Sequence, residues 1–383
     1  MPFNLPIERL FGGNPLIAPT TNAWESGVTF NAAATFLAPT PENHAAFTAL
    51  LGHGAEELHP NGIVALHYRA RPKLDPGHPW TRSSVGLSVH EPDLTLIRRF
   101  ETPVLVPSDD GRFADSQGAE DPRVTRLDGA WWMTYCGVLP IEHPDPEQAW
   151  RGSVCLARST DLVTWTKFGA ASGTGEAFRN VGPIAKTSNK DGVLFPDRIE
   201  GKAVLLHRPM MGPIDTWSTC LAVADEIEGP YTDLGAVHGA MTASEYSHSW
   251  VGAGAVPIRI GPGRYLSIEH TGNYLEGKRR KYVLDAFLYD FNQWDHRQPS
   301  SIMRARMDDF MRPETDFEVN GPYPDSVANV VFACGAYVYD GWLYLVYGGG
   351  DSFILAARLR LEDLLGRLED LERLNWREPA GVR

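Results

Sequence analysis

The amino-acid sequence predicts an all-β fold, a five-bladed β-propeller with a short C-terminal helix, and three observations lead to it. A glycine-containing turn followed by an apolar strand recurs five times, as NGIVALHYRA from Asn61, DGAWWMTYCGV from Asp128, EGKAVLLHRP from Glu200, GPGRYLSIEHTG from Gly261 and DGWLYLVYGGG from Asp340. Each copy is followed by a second strand-like run: SVGLSVHEPDL, GSVCLARSTDLVTW, STCLAVADEIEGPY, KYVLDAFLYDFNQW and SFILAARLRLEDLL. The copies start 61 to 79 residues apart, enough for about four short strands and their turns.

Period-2 alternation, β-branched and aromatic content, and Asp-Gly or Glu-Gly turns make each pair of runs a β-hairpin rather than helices. Radial repetition of such units leaves only short sheet edges, which favours a propeller over a sandwich or a pair of barrels. Near the N-terminus ENHAAFTALLGHGAEEL reads as a helical arm. The tail LEDLLGRLEDLERL, within a helix predicted over 361–375, places Leu361, Leu364, Leu365, Leu368, Leu371 and Leu374 on one face, a stripe suited to packing on its own domain. Proline- and glycine-rich stretches fall between strands and no linker is evident, so residues 1–383 read as one propeller domain.

A chain of 383 residues with a formal net charge of −13 is poorly suited to coating phosphate backbones or anionic lipid, so neither nucleic acid nor membrane is an expected partner. The start, MPFNLPIERLFGGN, lacks a basic region followed by an apolar one, and no run of about 18 apolar residues occurs, so a soluble, cytoplasmic protein is expected. Cys136, Cys155, Cys220 and Cys334 are far apart in sequence, with no CxxC pair and no zinc-finger histidine spacing. They signal neither a disulfide framework nor a structural metal, and nothing points to an organic cofactor.

The chemistry-bearing residues share a register. Arg69 ends the first repeat's strand, Asp121 and Arg123 precede the second, His207 and Arg208 end the third, Glu269 and His270 end the fourth, and Asp351 follows the fifth. Singly, each is as well read as a solvated turn or a strand-end ion pair. Polar groups that interrupt apolar strands are costly to bury unpaired, and their recurrence at one end of five repeats predicts a single site on the propeller axis.

The blocks GAEDPR (118–123), KDGVLFPDRIEGKAVLLHRP (190–209), VGAGAVPIRIGPGRYLSIEHTG (251–272), NVVFACG (329–335) and YGGGDSFILAA (347–357) resemble glycoside hydrolase family 130, a family of β-mannoside phosphorylases and β-1,2-mannosidases. The resemblance runs from about Asn31 to Ala357, most of the chain. It implies a five-bladed propeller and inversion at the anomeric carbon. It also implies that Asp121 is the general acid, working through a sugar hydroxyl, with Glu120, Arg123, Lys190, Asp191, His207, Arg208, His270 and Asp351 around the substrate. Inverting hydrolysis requires an acid that keeps its proton near neutral pH and a second carboxylate that activates water.

Two departures from the family pattern shape the expectation. FNAAATF replaces an FNPGA-like stretch at the glycone contact of Asn31, and EHTG puts Glu269 where phosphorylases often carry tyrosine. A carboxylate there would serve as base to water and repel phosphate, so Glu269, or in its place Glu245 or Glu314, is the expected base and hydrolysis of a β-mannoside, a β-1,2-linked one above all, the expected reaction. The rival is phosphorolysis, with inorganic phosphate as co-substrate held by Lys190, Arg208, His270 and Arg123. A furanosidase fits the LFP…LHRP and GAGAVP blocks poorly. A non-catalytic sugar-binding propeller would retain Trp24, Trp131, Trp217 and Trp250 for stacking and would not need Asp121 and Glu269 together. The expected partner is a small oligosaccharide; self-association stays open, as do linkage and chain length.

Overall fold

Two-residue turns set the repeat. Asp128-Gly129 (φ 52° and 75°), Glu200-Gly201 (52° and 79°) and Asp340-Gly341 (49° and 74°) all have left-handed backbone, which lets the turn follow the twist of the strands it joins. Five sheets result in the computed structural model, which describes residues 5–74, 81–143, 149–179, 187–275, 279–323 and 326–375.

After a short strand β1 (Glu8–Arg9), blade one comprises β2 (Val28–Leu37), β3 (Ile63–Arg71), β4 (Ser84–His90) and β5 (Leu96–Arg99). Blade two comprises β6 (Gly118–Leu127), β7 (Ala130–Pro140), β8 (Trp150–Ser159) and β9 (Thr166–Ala170). Blade three holds β10 (Gly173–Thr174), β11 (Ser188–Leu194), β12 (Ala203–Met210), β13 (Thr219–Ala224) and β14 (Tyr231–His238). Blade four holds β15 (His248–Ala253), β16 (Ile258–Gly261), β17 (Arg264–Tyr274), β18 (Arg280–Asp290) and β19 (Met303–Met311). Blade five is β20 (Val331–Tyr339), β21 (Trp342–Gly349) and β22 (Phe353–Arg360), with β1 on its outer edge through the pairs Glu8 with Arg358 and Arg9 with Ala357. The two ends of the chain thus close the ring within one blade. This is the five-bladed propeller that the repeats predict.

The helical arm forms as α1 (His44–Leu51) and α2 (Ala55–Leu58), and Phe47 and Leu50 of α1 bury fully against blades one and two. One-turn helices α3 (Glu176–Arg179) and α4 (Asp316–Val319) lie in loops. The C-terminal helix α5 (Leu361–Asn375) lays Leu364 and Leu368, both fully buried, on blades four and five. Leu374, expected in the same stripe, is instead 60% exposed, because it falls in the last turn, beyond the ion pairs that Glu372 makes with Arg264 and Arg304.

The innermost strands are β2, β6, β11, β15 and β20; β2 packs against β6 and β20, and β11 against β6 and β15. Three carry a bulge near the same end. Register shifts between Phe30 and Ala32, between Glu120 and Arg123, and between Lys190 and Val193. At these bulges Asn31 (φ 48°), Asp121 (φ 50°) and Asp191 (φ 53°) are left-handed, a conformation that Asn and Asp tolerate better than other side chains. A fourth bulge, between Ala333 and Gly335, accommodates Cys334 in β20, whereas β15 pairs with β17 without a shift. Among the described residues no helix is long and apolar enough to cross a membrane.

Candidate active site

In an unbroken strand Glu120 and Asp121 would point to opposite faces. The bulge, followed by Pro122, which has no N–H for the ladder, turns both carboxylates toward Arg69 of β3. Arg69 Nη1 donates to Asp121 Oδ1 at 3.1 Å, Nη2 pairs with Glu120 Oε1, and Nε donates to Ser83 Oγ at 2.9 Å. Asn31 Nδ2 reaches Asp121 Oδ1 from blade one at 2.8 Å. Lys190 Nζ stands 3.7 Å from Glu120 Oε2. Blades one, two and three therefore converge on Asp121.

A second group adjoins it. Asp191 takes Arg208 Nη2 at 3.1 Å, His270 Nε2 at 3.4 Å and Arg123 Nη2 at 3.6 Å. Arg123 crosses the axis, donating Nε to Gly254 O (3.0 Å), Nη2 to Ala253 O (3.1 Å) and Nη1 to the carbonyl of Asp121 (2.9 Å). With its donors directed to main-chain carbonyls and its side chain 1% exposed, Arg123 ties blade two to blade four and is not a ligand donor, contrary to its expected place in an anion pocket. Arg208 differs. It is 6% exposed, and its Nε and Nη1 have no hydrogen-bond partner among the described residues, so a buried cation presents two unused donors.

The electrostatics follow from burial and these pairs. Burial pushes the Asp121 carboxyl up, but Arg69, Lys190, Arg123 and the Asn31 hydrogen bond together outweigh it and hold it below its ordinary value. A carboxyl held below its ordinary value by these neighbours runs against the expectation of an acid that keeps its proton near neutral pH. Asp351, half-buried and left-handed (φ 46°) just after β21, is pushed up to about 6 by burial and by the Asp121 anion, against the pull of Arg69, Arg280 and Lys190.

Two expected members lie elsewhere. Glu269 follows the opposite face of β17 from His270: its carboxylate accepts from Thr219 Oγ1 (2.7 Å), Ser267 Oγ (3.0 Å) and the Tyr289 hydroxyl, with His238 Nε2 at 3.4 Å. Fully buried and satisfied between blades three and four, it cannot activate a water beside Asp121, so its expected role as base is corrected. His207 likewise turns from the axis toward Asn189 (3.1 Å) and Asp233 (3.4 Å), packed on Phe178. Neither alternative base reaches the cluster either. Glu314 is exposed and pairs with Arg9, and Glu245 lies exposed on the loop before β15.

The sequence reading missed three residues. Ser83 bridges Arg69 and Glu120. Tyr282 and Arg280, at the start of β18, lie within the electrostatic reach of Asp351, and Tyr282 within that of Arg208 and Lys190. A polar alternation RKY at the mouth of a strand was the available signal. Among the described residues no group of three or more His, Cys, Asp or Glu side chains is arranged to hold a metal ion.

The model of glycoside hydrolase family 130, described as β-1,4-mannooligosaccharide phosphorylase, matches residues 82–370. The chain is 27% identical over 360 residues to a 1,2-β-oligomannan phosphorylase of Thermoanaerobacter sp. (strain X514), covering 94% of this chain and 98% of the relative. It is 28% identical over 285 residues to a β-1,2-mannobiose phosphorylase of the same organism, covering 73% and 78%. In fold it is similar to the β-1,2-mannobiose phosphorylase of Listeria innocua solved with β-1,2-mannobiose, with a TM-score of 0.67, 21% identity and coverage of 96% and 100%.

Proposed function

The chain belongs to glycoside hydrolase family 130, an enzyme family acting on mannosides, and from that premise we propose that it is an inverting phosphorylase of β-1,2-linked oligomannosides. The observation that carries phosphorolysis over hydrolysis is Arg208: a buried guanidinium with two nitrogens that find no acceptor among the described residues, in a cluster that also contains Lys190, suits an oxyanion. The preference for hydrolysis rested on Glu269, and that residue is committed to another network. The β-1,2 linkage rests on the named relatives that align over most of the chain.

In this reading Lys190 and Arg208 hold phosphate on the face of the terminal mannosyl ring opposite its leaving group. A phosphate oxygen forms the new bond to C1 as the glycosidic C1–O bond breaks, and the departing oxygen receives a proton that originates at Asp121 and passes through a sugar hydroxyl. A phosphate dianion offsets the cationic field that keeps Asp121 ionised, so the carboxyl gains its proton in the ternary complex. Asn31 and Arg69 orient it, and Asp351 accepts hydrogen bonds from sugar hydroxyls. Phosphorus NMR of a reaction on β-1,2-mannobiose should show α-mannose 1-phosphate as the first-formed product; the β anomer would refute inversion, and free mannose alone would refute phosphorolysis.

The position of Asp351 sets a pH dependence. A carboxyl pushed up to about 6 accepts hydrogen bonds in its ionised form, so kcat/KM should fall as pH drops through that value, and Asp351→Asn should lose this limb. A limb of unchanged position in the variant would assign it to another group.

A further inference from the structure

An aromatic series leads away from the Asp191 group to the surface of blade four. The His270 ring lies 4.1 Å from Phe332 and 6.2 Å from Tyr282; Tyr282 lies 5.6 Å from Trp250, which in turn lies 5.1 Å from Tyr274 and 6.4 Å from Trp217. Trp250 is 3% exposed and backs the series, whereas Tyr282, Tyr274, Tyr246 and Trp217 are half-buried, each keeping part of its surface open. The mechanism uses none of these rings.

Cations hold the outer rings in place. Arg280 stands 5.5 Å from the centre of the Tyr274 ring, and Lys281 donates to the Tyr246 hydroxyl at 3.3 Å. Flat apolar faces bordered by a few fixed donors are what a neutral sugar ring requires of a binding surface. The rim is also continuous with the centre, since Tyr282 packs beside His270 and Phe332. With the terminal mannosyl unit at Asp121, the remainder of a chain must leave by the mouth.

We infer that this rim of blade four, with Tyr246 and Tyr274 at its outer end, binds the acceptor-side mannosyl units of β-mannoside chains longer than a disaccharide. The inference rests on the proposed mannoside reading. A cleft of about 340 Å³ between blades one and five, lined by Leu74, Tyr323 and Phe353 among others, is the competing exit.

The test compares β-1,2-mannobiose with β-1,2-mannotetraose in phosphorolysis by the full chain. In Tyr246→Ala and Tyr274→Ala, kcat/KM should fall about tenfold for the tetraose, as loss of a stacked ring predicts, and by less than about twofold for the disaccharide. Tyr274→Phe, which keeps the ring, should retain the tetraose rate. Equal losses on both lengths, no loss on either, or a length-selective loss in Tyr323→Ala instead would overturn the inference. Calorimetric binding of the same two sugars to Asp121→Asn, with and without Tyr274→Ala, reads the rim separately from the reaction. If the wild type forms no mannose 1-phosphate the phosphorylase reading fails, while tighter binding of the tetraose that depends on Tyr274 still supports the rim and length-independent binding still refutes it.

Discussion

Asp121→Asn is expected to lower turnover of an unactivated β-mannoside by on the order of 10² to 10⁴. The amide keeps the shape of the side chain and an oxygen facing Asn31 Nδ2 and Arg69 Nη1, but it cannot supply a proton to the departing sugar. Leaving-group chemistry separates this role from a structural one. A dinitrophenyl β-mannoside departs without protonation, so the variant should recover most of its rate on that substrate with phosphate present. Equal losses on the activated and natural substrates would show that Asp121 acts by holding Arg69 and Glu120 in place.

Arg208→Met should raise KM for phosphate about 10- to 100-fold, the equivalent of losing one charge-assisted hydrogen bond of about 1.5–3 kcal/mol. The substitution keeps an unbranched stem out to the position of Nε, removes the guanidinium head and leaves His270 and Arg123 near Asp191, so KM for the mannoside should change little. Arg208→Lys should fall between the two, because an ammonium restores charge without the planar fork. An unchanged phosphate KM in Arg208→Met would mean that the unused donors face something other than phosphate.

Much of this architecture is legible in the sequence because it is local. Asp-Gly and Glu-Gly dictate left-handed turns, alternation dictates which strand faces are buried, and five copies dictate closure. The strand-end register also pointed to Arg69, Asp121, Arg208, His270 and Asp351, while Glu120, Lys190 and Asp191 came only with the family resemblance. Glu269 and His207 show where that reasoning stops: neighbours in a strand point to opposite faces, so of Glu269 and His270 only one can reach the axis, and likewise of His207 and Arg208. Glu120 and Asp121 escape the rule only through a bulge. The motifs FN, ED and KD at Asn31, Asp121 and Asp191 marked three such bulges, since Asn and Asp are the side chains that best tolerate left-handed backbone. Recognising that common feature would have separated residues facing the axis from those facing away. The protonation of Asp121 was not legible, because it depends on the balance of Arg69, Lys190 and Arg123 around a buried carboxyl.

The most direct test is the initial rate of β-1,2-mannobiose cleavage by protein freed of phosphate, as phosphate is added back from zero. Phosphorolysis predicts no cleavage at zero phosphate, a saturable rise with concentration, and one mannose 1-phosphate formed for each bond broken. Cleavage at full rate without phosphate, with both sugars released as free mannose, would contradict the account and make the enzyme a hydrolase.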